Sequence, residues 1–155
     1  MNFEKENFLR TRLVPLLQKL DPSTPARWGK MNLHQMVEHF TNDAVKIANG
    51  SIVHDMHTPA EHLPRLREFL LSDRPFRENT INPMLPDEPI PNKYKTLQAA
   101  ISELQMELIN FFEVFGTNPH QTTRNPIFGE LNFEENVQLL YKHALHHLRQ
   151  FSVMS

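Results

Sequence analysis

The 155-residue chain has no cysteine. Disulfides, thiolate-ligated zinc, iron–sulfur clusters and a nucleophilic protein thiol are thereby excluded, so any thiol used in a reaction must arrive with the substrate. Glycine is scarce, with four in all, and none falls within a G-x-S-x-G, a Walker loop or a G-x-G-x-x-G. Serine-hydrolase, nucleotide and dinucleotide chemistry therefore lack their backbone machinery. No apolar run approaches the ~20 residues that span a bilayer, and the opening MNFEKENFLRTRLVPLLQKL interleaves charges with leucines instead of forming an apolar leader. The expectation is a soluble, unexported, cytoplasmic protein. Basic clusters are missing too: the net charge is −2, which leaves no electrostatic footprint for nucleic acid or an anionic membrane.

What the chain has instead is histidine, nine in all, a side chain suited to metal ligation and to proton traffic near neutral pH. The length suits a single domain over residues 1–155 that buries roughly two-thirds of its unfolded surface. Leu9, Leu13, Leu17 and Leu20 have helical spacing, with Pro15 expected to bend the end of that first helix. Asn32 and Gln35 form a capping-box pair opening a second helix, and Gly50 is its stop. A short third helix is expected from Thr58 as N-cap, with Pro59 first and Glu61 closing the box, to near Ser72.

Prolines at 75, 83, 86, 89 and 91 make 74–92 a long crossover or lid. Leu97, Ile101, Leu104, Leu108, Phe111 and Phe115 mark a fourth helix ended by Gly116, and Asn132 with Glu135 opens the last one. No strand pattern of convincing length appears. The expected fold is all-α: a four-helix bundle with a short extra helix and long crossover loops, the architecture that often houses metals between facing helices.

The last helix carries YKHALHHLRQF. At about 100° per residue, its apolar stripe centres about 110° round from His143 and brings His147 to the stripe's near edge. His146 falls about 60° beyond His143 on the far side. The spacing thus favours His143 and His147 as a pair on adjacent turns, with His146 facing solvent or supporting the pair. An open zinc site usually has three protein ligands and a free fourth position, and MNLHQMVEHFTND in the second helix is the best source of the third. His34 and His39 flank the apolar stripe there at about 110° on either side, and periodicity does not choose between them. Asp43, one turn beyond His39, is a ligand candidate or a carboxylate that holds the imidazole by its second N–H. His54, His57, His62 and His120 are read as surface residues. No Glu stands three residues before a His, as a di-iron bundle requires, and H-E-x-x-H is absent because Ala144 follows His143.

The segments WGKMNLHQMVEHF and NPIFGELNFEENVQLLYKHALHHLRQF together resemble the DinB-like superfamily, and more narrowly its uncharacterised branch with an N-P-x-F-G-x-L turn before a helix ending H-H-L-R-Q-F. The likeness covers Trp28 to His39 and Asn125 to Phe151. It implies a zinc- or nickel-type divalent metal on one histidine of the second helix and two of the last, here His39, His143 and His147. Trp28 and Phe128 also stand at family-like positions and are read as packing residues.

Some characterised members of that superfamily transfer or isomerise with a low-molecular-weight thiol. The implied function is a metal-dependent, thiol-dependent transferase or isomerase acting on a small electrophile, with Asp43, His146 and Gln150 as supports for the ligands. Two alternatives stand beside it: a non-catalytic, stress-associated binding or dimerising bundle whose metal is structural or missing, and a hydrolase using metal-bound hydroxide. A closed two-fold homodimer is compatible with a small bundle.

Overall fold

Local sequence explains most of the helices. The computed structural model describes residues 3–79 and 82–153, and these are mostly helical, 56% helix against 4% strand, in five helices, which makes the chain all-α. Helix α1 is one run of three segments, Phe3–Asn7, Phe8–Arg12 and Leu13–Gln18. Its middle segment is a π-helical turn in which the Leu13 N–H donates to the Phe8 carbonyl. Pro15 cannot donate and crowds the preceding turn; the widened turn ahead of it gives the backbone slack, and the helix continues through Pro15 to Gln18.

Helix α2 has the same construction: Leu33–Phe40, a π-helical turn Thr41–Val45, then Lys46–Ala48. The Asn32–Gln35 capping box is formed in both directions at 2.8 and 2.9 Å, and Gly50 ends the helix at φ +82°.

Helix α3 differs from expectation at its start. Thr58 does not cap it; its hydroxyl donates instead to the Ile127 carbonyl at 2.7 Å. A 3-10 turn, Ala60–His62, leads into Leu63–Leu71. Pro64 falls in the first helical turn, where its N–H would have had no partner, so it does not break the helix. Helix α4 spans Leu97–Thr117 and includes Gly116 before ending at Asn118, so glycine there is not the stop. Helix α5, Phe133–Gln150, opens on the second capping box, Asn132 with Glu135, both bonds at 2.9 Å. Replacing Asn132 with Ala leaves the Glu135 N–H without its cap and should cost about 1 kcal/mol, read as a lower urea midpoint at unchanged slope.

A short antiparallel hairpin, which the sequence did not suggest, lies between α4 and α5: β1 (Thr123–Asn125) pairs with β2 (Gly129–Leu131), Thr123 opposite Leu131 and Asn125 opposite Gly129. Three residues per strand are too few to show alternation. The N-P-x-F-G motif is its turn: the Asn125 carboxamide oxygen accepts from the N–H groups of Ile127 and Phe128 at 2.9 and 3.0 Å, and Gly129 takes φ +91°. The hairpin ties two helices together, because the Thr123 hydroxyl donates to the Ala48 carbonyl and accepts from the Asn136 amide.

Helix α1 packs on α4 and α5, α2 on α4, and α3 on α5. The main core joins Leu9, Val37, Phe40, Leu104, Phe111 and Leu148 with their neighbours, and Phe111 stacks on Phe133 at 5.6 Å. A smaller cluster of Leu70, Phe128, Leu131 and Leu139 seats α3 on α5, so Phe128 is a packing residue as expected. Among the described residues no helix is long and apolar enough to cross a membrane.

Candidate metal centre

Helices α2 and α5 bring His39, His143 and His147 together, with one ring nitrogen of each lying within 4.8 Å of the others. The rings meet edge to face, His39 standing 5.3 Å from His143 and 5.1 Å from His147 between centroids. An ion that holds nitrogen at ~2.0–2.1 Å sets tetrahedral ligand atoms a little over ~3 Å apart, so the three nitrogens lie within reach of one ion after small side-chain movements.

The hydrogen bonds behind the rings decide which nitrogen faces inward. The His39 Nδ1–H donates to the Asp43 carboxylate at 2.9 Å, leaving a lone pair on Nε2. Asp43 lies in the π-helical turn of α2, one turn beyond His39, and so acts as the support foreseen for it. The His147 Nδ1 lies 2.8 Å from the Gln150 carboxamide oxygen and donates to it, which leaves Nε2 bare there too. The His143 Nε2 is 2.7 Å from that bare nitrogen, so it donates across the gap. A proton held between two imidazole edges occupies the place a cation would take, and a donor set of three imidazoles suits zinc, nickel, copper or iron.

Burial holds two of these rings neutral. His143 and His147 are pushed well below the ordinary 6.5, first by loss of solvation and then by mutual repulsion with neighbouring histidines. His143 retains some accessible surface, but the rings of Phe40 and Phe76 stand 5.2 and 5.9 Å from it. The unfolded chain binds protons near pH 6.5 that the folded, metal-free chain refuses. Stability is therefore full above that pH and falls as pH drops below it. Urea melts of metal-free protein at pH 7.5 and pH 5 should show a lower midpoint at pH 5, and His143→Phe should shrink the difference.

His34, the other candidate from α2, is elsewhere. Its Nε2 is 2.7 Å from the Glu38 carboxylate, which also accepts the N–H groups of Lys93 and Tyr94 and so fastens the end of the crossover to α2. His146 is not among the three converging rings. Burial lowers its pKa, while a hydrogen bond to the Phe76 backbone opposes that shift, and its ring lies 5.4 Å from Trp28. His54, His57, His62 and His120 are exposed.

A polar ridge on α5 went unread in the sequence although its spacing is visible there: Gln138, Lys142 and His146 at i, i+4 and i+8. The Gln138 amide donates to the Leu70 and Ser72 carbonyls, Lys142 to those of Ser72 and Arg74, and His146 bonds to the Phe76 backbone. Together they strap residues 72–76 along α5 and seat Phe76 beside His143 and His146. Removing that ring with Phe76→Ala should speed extraction of bound metal by a chelator several-fold, a rate readable in stopped flow.

No protein-family model, curated protein or solved structure matches the chain.

Proposed function

We propose that the chain is a metal-dependent enzyme of the DinB-like type, a four-helix bundle with one divalent ion, zinc or nickel, on His39, His143 and His147. The observation that carries this reading is the convergence of three imidazoles with two of their Nδ1 atoms already committed to Asp43 and Gln150. Backing of ligand imidazoles by a carboxylate or amide acceptor is a recurrent feature of protein metal sites. With an ion bound, three neutral ligands leave its positive charge intact to lower the pKa of a thiol or water toward neutrality.

The chain's own residues have definable roles. Asp43 and Gln150 orient two rings, Phe40 and Phe76 keep bulk water from His143, and the strap at residues 72–76 covers one side of the site. In a chain without cysteine the nucleophilic sulfur comes from a low-molecular-weight thiol, which makes transfer to, or isomerisation of, a small electrophile the reading supported best. The non-catalytic alternative draws on a different observation: the void that reaches His147, between Met36, Phe40 and Leu104, holds about 10 Å³, no more than a single water requires.

Consumption of small electrophiles by zinc- or nickel-loaded protein, with and without a low-molecular-weight thiol, tests the reading. Turnover that requires thiol and disappears in His143→Ala supports it. Turnover without thiol transfers the assignment to a metal-hydroxide hydrolase, and no turnover across a broad electrophile panel favours the structural bundle.

A further inference from the structure

Gln150 closes α5 and reaches back to the loop before α2. Its backbone carbonyl accepts from the Arg27 N–H at 2.7 Å, its carboxamide nitrogen donates to the Trp28 carbonyl at 2.9 Å, and its carboxamide oxygen accepts from His147 Nδ1 at 2.8 Å. Gln150 is buried, and the loop that meets it has glycine at 29 with φ +80°. A Cβ on residue 29 would stand 3.0 Å from the Gln150 carboxamide nitrogen, so the close approach relies on its absence.

These contacts form a chain of forced choices. The Trp28 carbonyl can only accept, so the –NH2 end of the carboxamide must face it. That turns the oxygen toward His147, and an oxygen there demands a proton on Nδ1. A neutral imidazole protonated at Nδ1 carries its lone pair on Nε2, the edge that faces His143. We infer that Gln150 is a positioning residue that sets the tautomer of His147, with the Trp28 carbonyl fixing the direction of its amide and Gly29 making room for it. Glutamate would not replace it: a second oxygen would face the Trp28 carbonyl and repel it. His39 can use the carboxylate of Asp43 for the same purpose. The inference deepens the proposed metal site and takes its purpose from it, but the tautomer can be read without any metal.

The experiment uses metal-free protein labelled with 15N-histidine and long-range proton–nitrogen correlation spectra. The wild type should show His147 protonated at Nδ1 and bare at Nε2. Gln150→Met, similar in length but without the amide, should lose that pattern in favour of the other tautomer or a mixture. Gly29→Ala, which keeps the amide but crowds it, should move His147 in the same direction, and it decides the matter if Gln150→Met does not fold. The His39 signals serve as the control, because their partner is Asp43. Zinc titration of the same variants should show affinity about 10–100-fold weaker than wild type, the usual loss when the group behind a ligand is removed. His147 keeping its Nδ1 proton in the folded variants would overturn the inference. Wild-type protein that takes up no zinc would defeat the metal site instead, and the tautomer comparison would still decide the role of Gln150.

Discussion

Protein purified without an affinity tag, then dialysed against zinc or nickel, should retain about one equivalent of metal by elemental analysis, and His39→Ala, His143→Ala and His147→Ala should each retain almost none. A three-imidazole site that loses one ring keeps two ligands, below the number an open protein site ordinarily provides. The effect should be near total because no cysteine is present and no other histidine offers a converging nitrogen: His34 faces Glu38, and His146, its ring 5.1 Å from that of His147, bonds to the Phe76 backbone. His34→Ala is the matched control, from the same helix and the same distance off the apolar stripe, and should retain metal fully. Equal loss in His34→Ala and His39→Ala would mean that the variants are simply misfolded, while wild-type protein free of metal after reconstitution would defeat the site.

The second large effect is on stability. A ligand that binds only the folded chain adds about 4 kcal/mol at a thousandfold excess over its dissociation constant, which for a chain of this size corresponds to a rise in melting temperature on the order of 10 °C. The gain should be strong here because the three ligands come from two helices far apart in sequence, α2 and α5, so the unfolded chain cannot assemble the site. It should fall only as pH drops well below the ordinary imidazole value of about 6.5, because protons compete for the same nitrogens while burial disfavours protonated His143 and His147 in the folded chain. Calorimetry at pH 7.5 with and without zinc, repeated with His147→Ala, reads the difference directly; an unchanged melting temperature in wild type would show that no tight site exists.

Several features of the molecule were legible before any coordinates. Both capping boxes, the glycine stop at Gly50 and the apolar face of α4 are local patterns, and each is present as read. Gly116 lies inside α4 instead of ending it, and two other departures have a distant partner or a very short element behind them. Thr58 has a good cap residue's chemistry, but its hydroxyl finds the Ile127 carbonyl across the chain. The hairpin's three-residue strands carry no periodicity, and they are held by Thr123 and Asn136 rather than by propensity.

Taken alone, the sequence determined the all-helical class, the capped starts of α2 and α5 and the choice of His143 and His147 over His146 as a facing pair. All of these depend on residues within one or two turns of each other, where helical geometry dictates neighbours. Tertiary structure decided what rotation about a single helix axis cannot. His34 and His39 are equivalent about α2, and they part only because α5 brings its histidines to one flank while Lys93 and Tyr94 occupy the other. The same holds for Trp28, read as a packing residue, and for Gly29 beside it. Their part in the site exists only because the end of α5 returns to their loop, where a carbonyl and a missing Cβ set the direction of one buried amide.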